Sequence, residues 1–269
     1  MERLLIDGAE IEYEVHGRGE PVLLIPPALI VDSLAAPLLA QSEVATRYRL
    51  IHYHRRGYQG STLGSEPLTM ARQAGDAAAL LRHLGVGAAH VAGYSYGGLV
   101  ALQLAVDTPE LVHTLALLEP ALRLVPAGKA YYEHTVAPMV NAYRAGNTRE
   151  AVQIFCDALL GPDWQPIVER GVPGGMDQVL RDADTWMLEQ PAIRDWDFGP
   201  TAAAAIRQPV LSVLGVHSHQ LFQQGRALLH TWLPQMEDAD VQGTHLHPLQ
   251  DSHGVAHALA AFFARHPIG

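Results

Sequence analysis

Apolar residues follow two different periods along this chain, and the two periods alternate. Residues 4–6 form a short apolar stretch, residues 11–15 alternate apolar with polar side chains, and residues 22–25 form a continuous apolar run. Alternation predicts a strand with one buried face, whereas a short continuous run is typical of a strand buried on both faces. Helical periodicity over residues 33–45 then predicts a helix, and residues 49–53 predict a further strand.

The alternation of strand and helix continues through the middle of the chain. Residues 69–84 place alanine and leucine on one helical face, residues 90–92 predict a strand, and an apolar helical run follows from Leu99. The next strand is predicted over residues 114–118. Strands that alternate with helices imply a parallel sheet that is covered on both faces.

This alternation stops after Pro120. Residues 121–207 contain helical patterns and loops with Gly and Pro but no convincing strand, so they predict an inserted helical lid. The alternation then resumes with predicted strands at 209–214 and 239–242 and predicted helices at 221–232 and 255–265. We therefore predict that residues 1–120 and 208–269 form the two parts of one core, with the lid between them.

Composition agrees with one sizeable globular unit that carries an insertion. The chain has 269 residues, of which 48% are hydrophobic and 17% are charged, which is enough to bury a large core. No uninterrupted apolar run is long enough to cross a bilayer. The N-terminal apolar stretch is broken by a charge almost at once and lacks the core of a signal peptide, so we expect a cytoplasmic protein.

Charge and cysteine content narrow the classes of partner and site. The formal net charge of −10 disfavours nucleic acid and anionic membranes as partners. We expect a small-molecule substrate as the partner, and the formation of a homodimer stays open. Because Cys156 is the only cysteine, neither an intrachain disulfide nor a thiolate metal cluster can form.

Four histidines in the C-terminal part of the chain are candidate metal ligands. They are His217, His219, His247 and His253. No pattern of carboxylates accompanies them, so we expect no metal site and no other cofactor.

A serine between glycines marks the join between a predicted strand and a predicted helix. The segment reads Gly93-Tyr94-Ser95-Tyr96-Gly97. Such a tight turn strains the backbone of its central residue, and the glycines remove Cβ atoms that would collide with neighbouring backbone. Ser95 would then project from the first turn of a helix, where free N–H groups favour negative charge. A small-residue turn that only packs helix on sheet is the alternative, but this context favours a nucleophile.

With its motifs in this order, the chain resembles the α/β-hydrolase fold family over nearly its whole length. The resemblance implies a mostly parallel eight-stranded sheet flanked by helices, with a helical cap inserted after the sixth strand. It also implies an oxyanion hole made by the backbone N–H groups of Tyr96 and of Ala28. Relatives usually carry His-Gly where this chain has Pro26 and Pro27. Proline has no N–H, but Ala28, at the donor position itself, retains one.

The resemblance places the base in a histidine loop after the last strand. His245 lies there, directly before the C-terminal helix, and Leu249 follows four residues later as in the family pattern. His247 is the competing candidate. A serine at its ordinary pKa needs such a base within hydrogen-bonding reach.

The acid is the residue at which the chain departs most from the family. Most relatives carry an aspartate in a Gly-x-x-Asp turn after the seventh strand, but this turn ends here in Ser218. A minority of relatives place the acid after the sixth strand, where this chain has Glu119. Glu119 either orients His245 or is a hinge residue at the entrance to the lid. Ser218 acting through a water molecule is a further alternative.

Further side chains are expected around the cleft. His54 stands where relatives usually carry an aspartate, before the loop that ends at Ser61, and we expect it to be structural. Most tryptophan and methionine side chains of the lid are expected to form its own core. Met139 and Trp186 are the predicted exceptions. Together with Tyr94, which precedes Ser95, they are expected to contact the substrate.

These residues together predict a serine hydrolase. We expect it to cleave a small to medium, mostly apolar ester, lactone or thioester through an acyl-enzyme on Ser95. The alternative is a non-hydrolytic member of the fold, a cyclase, lyase or ligand-binding protein that uses the same cleft with an incomplete triad. The missing Gly-x-x-Asp acid keeps that alternative open, because fold does not guarantee function.

Overall fold

Eight strands form one sheet in the computed structural model, which describes residues 1–269. In chain order they are β1 (Glu2–Ile6), β2 (Ala9–His16), β3 (Glu20–Ile25), β4 (Tyr48–Tyr53), β5 (Ala89–Tyr94), β6 (Val112–Leu118), β7 (Val210–Gly215) and β8 (Met236–Val241). Their spatial order is β1-β2-β4-β3-β5-β6-β7-β8. The pairs β1–β2 and β2–β4 are antiparallel and all others are parallel. The predicted mostly parallel sheet is confirmed.

The central strands are buried on both faces, as their continuous apolar runs predict. β3 lies between β4 and β5, with Val22 paired to Leu50 on one side and to His90 on the other. Every residue of β5 is buried. Since parallel strands end at the same edge of a sheet, the carboxyl ends of β5, β6, β7 and β8 lie side by side.

Helices cover both faces of this sheet and fill the insertion. In chain order they are α1 (Ala35–Leu39), α2 (Ser42–Ala45), α3 (Met70–His83), α4 (Tyr96–Asp107), α5 (Pro126–Tyr131), α6 (Ala137–Arg144), α7 (Thr148–Leu160), α8 (Trp164–Gly171), α9 (Gly175–Arg181), α10 (Ala183–Arg194), α11 (Pro200–Ala203), α12 (Gln220–Trp232), α13 (His247–Gln250) and α14 (Ser252–Arg265). None of them combines the length and the apolarity that a membrane crossing requires.

The predicted helix over residues 33–45 is broken in the structure. A 3₁₀ turn over Val31–Ser33 precedes α1, and Gln41 is extended between α1 and α2. Proline is tolerated in the first turn of a helix and disfavoured in its interior, and Pro37 lies in the first turn of α1. The prediction of one continuous helix was therefore wrong.

Seven helices, α5 to α11, lie between β6 and β7, and residues 121–207 contain no strand. A π-helical turn over Tyr132–Val136 joins α5 to α6. These helices, called the inserted helices below, enclose an apolar core that includes Trp164 and Cys156. The same core takes in Leu221 and Leu246 from the sheet side, so the inserted helices pack directly over the edge of the sheet. The domain boundaries themselves stay a prediction.

A buried ion pair ties the inserted helices to the core. Arg55, which follows β4, pairs with Glu189 of α10, and both side chains are excluded from solvent. The same guanidinium donates to the carbonyl oxygens of Pro26 (3.1 Å) and Pro27 (2.8 Å). The O–H group of Tyr58 donates to the second oxygen of Glu189 at 2.7 Å. One charge pair therefore holds both the inserted helices and the loop after β3.

We predict that Glu189→Gln lowers the free energy of unfolding by about 3 kcal/mol, because it leaves the buried Arg55 charge without its counter-charge. Urea denaturation followed by circular dichroism measures the change. The control is Asp195→Asn, which removes an exposed pair with Arg194 and should change stability little, because solvent screens exposed charges. A loss for Glu189→Gln no larger than that of the control would contradict the anchoring role of the pair.

Candidate active site

Ser95 lies at the reversal between β5 and α4. Its backbone has φ 55° and ψ −117°, a conformation that residues with a side chain rarely adopt. A Cβ at Gly93 would lie 2.5 Å from the carbonyl oxygen of Gly97, and one at Gly97 would lie 2.2 Å from the carbonyl oxygen of Ile25. Only glycine fits at these two positions, so the tight packing of α4 against the sheet imposes the strained turn on Ser95.

His245 contacts the serine directly. It follows β8, and its Nε2 lies 2.9 Å from Ser95 Oγ. The imidazole stacks on Phe222, with ring centroids 3.9 Å apart and planes 11° from parallel. The O–H group of Tyr94 donates to the carbonyl oxygen of His245. Stacking and this backbone bond together fix the ring in the orientation that faces Ser95.

Glu119 occupies the other side of the imidazole. It directly follows β6, and its Oε2 is hydrogen-bonded to His245 Nδ1. The other carboxylate oxygen accepts from the backbone N–H of Gly215 at 2.7 Å and from the hydroxyl of Ser218. The carboxylate after the sixth strand therefore contacts the histidine, and Ser218 holds the carboxylate.

The surroundings of Glu119 keep it ionised. Burial by itself raises the pKa of this carboxyl. The positive charge that His247 acquires at acidic pH, together with the hydrogen bonds from His245 and Ser218, outweighs burial and lowers it. The carboxylate is thus available to stabilise a positive charge on His245 at neutral pH.

His247, the competing base, lies behind the carboxylate and not beside the serine. Its Nδ1 is 3.5 Å from Glu119 Oε1, and neither ring nitrogen has a hydrogen-bond partner. Burial lowers the pKa of His247 to about 4, so its ring is neutral at neutral pH. The structure thus brings His245, and not His247, to Ser95.

Two cavities meet at the serine. They share Ala28, Ser95 and Phe155 in their walls, and the space that a water-sized sphere can occupy is about 30 Å³ in one and about 20 Å³ in the other. The first, called the His245 cavity, is also lined by His245. The second, called the Arg123 cavity, is also lined by Arg123.

The comparison with known proteins agrees with this geometry. The sequence profile of the alpha/beta hydrolase fold matches residues 15–190. The chain belongs to the α/β-hydrolase fold family.

The curated relatives of this α/β-hydrolase-fold protein align with it over only part of their own length. A putative carbamate hydrolase, RutD, of Azorhizobium caulinodans is 33% identical over 110 residues, which are 41% of this chain and 41% of the relative. The acetyltransferase component of the acetoin cleaving system of Cupriavidus necator is 34% identical over 57% of this chain and 40% of the relative. The match thus spans about two fifths of each of these relatives.

Solved structures match the whole α/β-hydrolase chain. The enol-lactonase of Burkholderia xenovorans LB400 superimposes with a TM-score of 0.81 at 20% identity, over 98% of this chain and 100% of the other. MGS-M2, an alpha/beta hydrolase from a deep-sea metagenome, gives 0.82 at 16% identity, over 100% and 99% of the two chains. At these identities the likeness shows the fold, and hydrolases are among the proteins that share it.

Two backbone N–H groups next to Ser95 lack an acceptor in the surrounding backbone. Ala28, outside any helix or strand, has no protein acceptor for its N–H group. Tyr96 is the first residue of α4, so its N–H group has no acceptor one turn earlier in the helix. Both residues line the Arg123 cavity beside Ser95. They are the two positions that the sequence predicts.

The structure places two of the three predicted substrate contacts at the cavities. Tyr94 lines the His245 cavity and Trp186 lines the Arg123 cavity. Met139 lines neither, because α6 turns it into the apolar core of the inserted helices, where it is fully buried. The structure therefore does not bring Met139 to Ser95. Sequence reasoning also missed Arg123, whose only signal is a lone cation between Leu122 and Leu124.

His54 lies outside both cavities. It is buried, with Nε2 3.1 Å from Asp32 Oδ1 and Nδ1 3.2 Å from Glu12 Oε2. These contacts tie the loop after β3 to β2, which is the structural role expected of His54. His52, His54 and Asp32 form the one group whose spacing could hold a metal ion, whereas the four C-terminal histidines are not so grouped.

The buried His247 predicts a pH-dependent stability. The unfolded chain takes up a proton near the ordinary value of 6.5, but the folded chain resists until the pH nears the depressed pKa of about 4. Stability contributed by the neutral ring is therefore present above pH 6.5 and is lost as the pH falls from there toward 4. Urea denaturation at pH 7.5 and at pH 5.0 measures how far the free energy of unfolding falls between these two pH values. This fall should be smaller by about 2 kcal/mol in His247→Gln than in the natural chain.

The exposed His253 provides the matched control for this experiment. His253→Gln should leave the pH dependence of unfolding unchanged. An equally steep pH dependence in His247→Gln and in the natural chain would contradict the depressed pKa.

Proposed function

We propose that this protein is a serine hydrolase that cleaves a small to medium, mostly apolar ester, lactone or thioester. One observation carries the proposal: a continuous hydrogen-bonded array runs from Ser95 Oγ through His245 to Glu119 at the junction of two mostly apolar cavities. The hydrolases among its relatives and structural neighbours, an enol-lactonase included, support the same class.

In the first step Ser95 attacks the substrate's carbonyl carbon. Its Oγ forms a bond to that carbon, and the hydroxyl proton passes to His245 Nε2, 2.9 Å away. The electron pair of the carbonyl moves onto its oxygen, which accepts hydrogen bonds from the N–H groups of Ala28 and Tyr96. Glu119 stabilises the imidazolium that forms.

The tetrahedral intermediate then collapses. The bond to the leaving oxygen or sulfur breaks, and that atom takes the proton from His245 Nε2. Water next attacks the acyl carbon while His245 removes one of its protons. The second collapse returns that proton to Ser95 Oγ and releases the carboxylic acid, so the enzyme ends in its starting state.

A fluorophosphonate tests the nucleophile. We predict a single covalent adduct in the intact mass, mapped to Ser95 by peptide sequencing, and no adduct in Ser95→Ala. Ser252→Ala, at the start of α14, should react like the natural chain and serves as the control. Folded protein that remains unmodified, or an adduct on another residue, would sink the proposal.

The role of Glu119 is tested by Glu119→Gln, which keeps the size of the side chain but removes its charge. The imidazolium then loses its counter-charge, so we predict that turnover of p-nitrophenyl butyrate falls by roughly 10³- to 10⁴-fold. Circular dichroism checks that the variant is folded, and Glu133→Gln, an exposed carboxylate on the inserted helices, is the control. Undiminished turnover would remove Glu119 from the mechanism.

A further inference from the structure

The two fully buried arginines of this chain pair with carboxylates, whereas the half-buried Arg123 does not. Arg55 pairs with Glu189, and Arg56 pairs with Asp76 at 2.6 Å. Arg123 has no carboxylate partner. One of its terminal nitrogens, Nη2, donates to the amide oxygen of Gln190 at 3.0 Å, and its Nε is buried with no hydrogen-bond partner.

A second unsatisfied donor lies beside this guanidinium. The guanidinium carbon of Arg123 is 5.7 Å from the ring centre of Tyr131. The Tyr131 O–H group is also buried without a hydrogen-bond partner, and both residues line the Arg123 cavity. Leaving such groups unpaired costs free energy, so the pair is poised to bind an acceptor that enters the cavity.

The charge of Arg123 is not balanced by any residue around the cavities. No aspartate or glutamate lines either of them. Burial lowers the pKa of Arg123, whereas the Glu189 carboxylate raises the pKa of Arg55 in spite of its burial. Gln190 is itself held in place, since its Nε2 donates to the carbonyl oxygen of Trp186 at 3.1 Å. Arg123 is therefore a positively charged side chain whose neighbours Gln190 and Tyr131 are uncharged.

The proposed reaction sets which part of the substrate faces Arg123. His245 gives its proton to the leaving atom, and His245 lines the other cavity, so the leaving group belongs there. The acyl chain then extends from Ser95 into the Arg123 cavity, which Tyr96 and Trp186 also line. We infer that the acyl chain of the substrate carries a carboxylate, which Arg123 and Tyr131 bind. This inference rests on the proposed function and names its substrate class: half-esters, thioesters or lactones of dicarboxylic acids.

The test compares two esters that differ in this carboxylate alone. Monoethyl adipate and ethyl hexanoate have the same alcohol and acyl chains of six carbons, and acid release in a pH-stat gives kcat/KM for each. We expect the natural chain to prefer the adipate half-ester by about tenfold to a hundredfold, as a charge-assisted hydrogen-bonded pair provides. Arg123→Gln should abolish the preference, Arg123→Lys should restore part of it, and Tyr131→Phe should reduce it a few-fold.

Arg144→Gln, which removes an exposed cation of the inserted helices, should retain the preference and excludes a general effect of net charge. Equal rates for the two esters, or a preference for ethyl hexanoate, would overturn the carboxylate subsite and leave the hydrolase proposal standing. A preference that survives Arg123→Gln would equally overturn the assignment to Arg123.

Binding is measured separately so that the subsite can be judged even if neither ester is cleaved. In that case the proposed function fails, and calorimetric titration of the natural chain with adipate decides the subsite. Adipate binding that is lost in Arg123→Gln and kept in Arg144→Gln supports it. The absence of binding to the natural chain, or binding that both variants retain, overturns it.

Discussion

The hydrogen bond between Glu119 and His245 is the contact on which the rest of the site depends. These residues follow β6 and β8, so the bond spans the carboxyl end of β7, which lies between them. β7 contributes to it directly, because the N–H group of Gly215 donates to the same carboxylate. Parallel strands that end at the same edge of the sheet place the carboxylate and the imidazole within reach of each other. The order of the strands in the sheet thus determines the orientation of the His245 ring.

The backbone around this contact is shaped by close approach. Glu119 has φ 48°, a left-handed value that is strained for a residue with a side chain. A Cβ at Gly215 would lie 2.6 Å from the carbonyl oxygen of Gly243, so the loops after β7 and β8 can meet only over a glycine. On the other side of Ser95, Arg55 holds the carbonyls of Pro26 and Pro27, directly before the proposed oxyanion donor Ala28. Strain and burial therefore concentrate at the proposed reacting atoms.

Sequence patterns predicted those features of the structure that depend on residues close together in the chain. The continuous apolar run in β3 and the glycines around Ser95 each report a local constraint, double burial in one case and a tight turn in the other. The choice between Glu119 and Ser218 could not be made in this way, because it depends on distances across the sheet. In the structure Ser218, at the place where relatives carry the aspartate, holds Glu119 instead. The direction in which Met139 faces, and the lack of a partner for Arg123, are likewise properties of packing alone.

The proton that His245 Nδ1 shares with Glu119 reports on the central contact most directly. It is buried and charge-assisted, so proton NMR should show a strongly downfield resonance that exchanges slowly with water. We expect this resonance in the natural chain and in His253→Gln, and we expect it to be absent from His245→Ala and Glu119→Ala. A resonance of His245 that persists in Glu119→Ala would show that the imidazole has another partner and would contradict the hydrogen bond between Glu119 and His245.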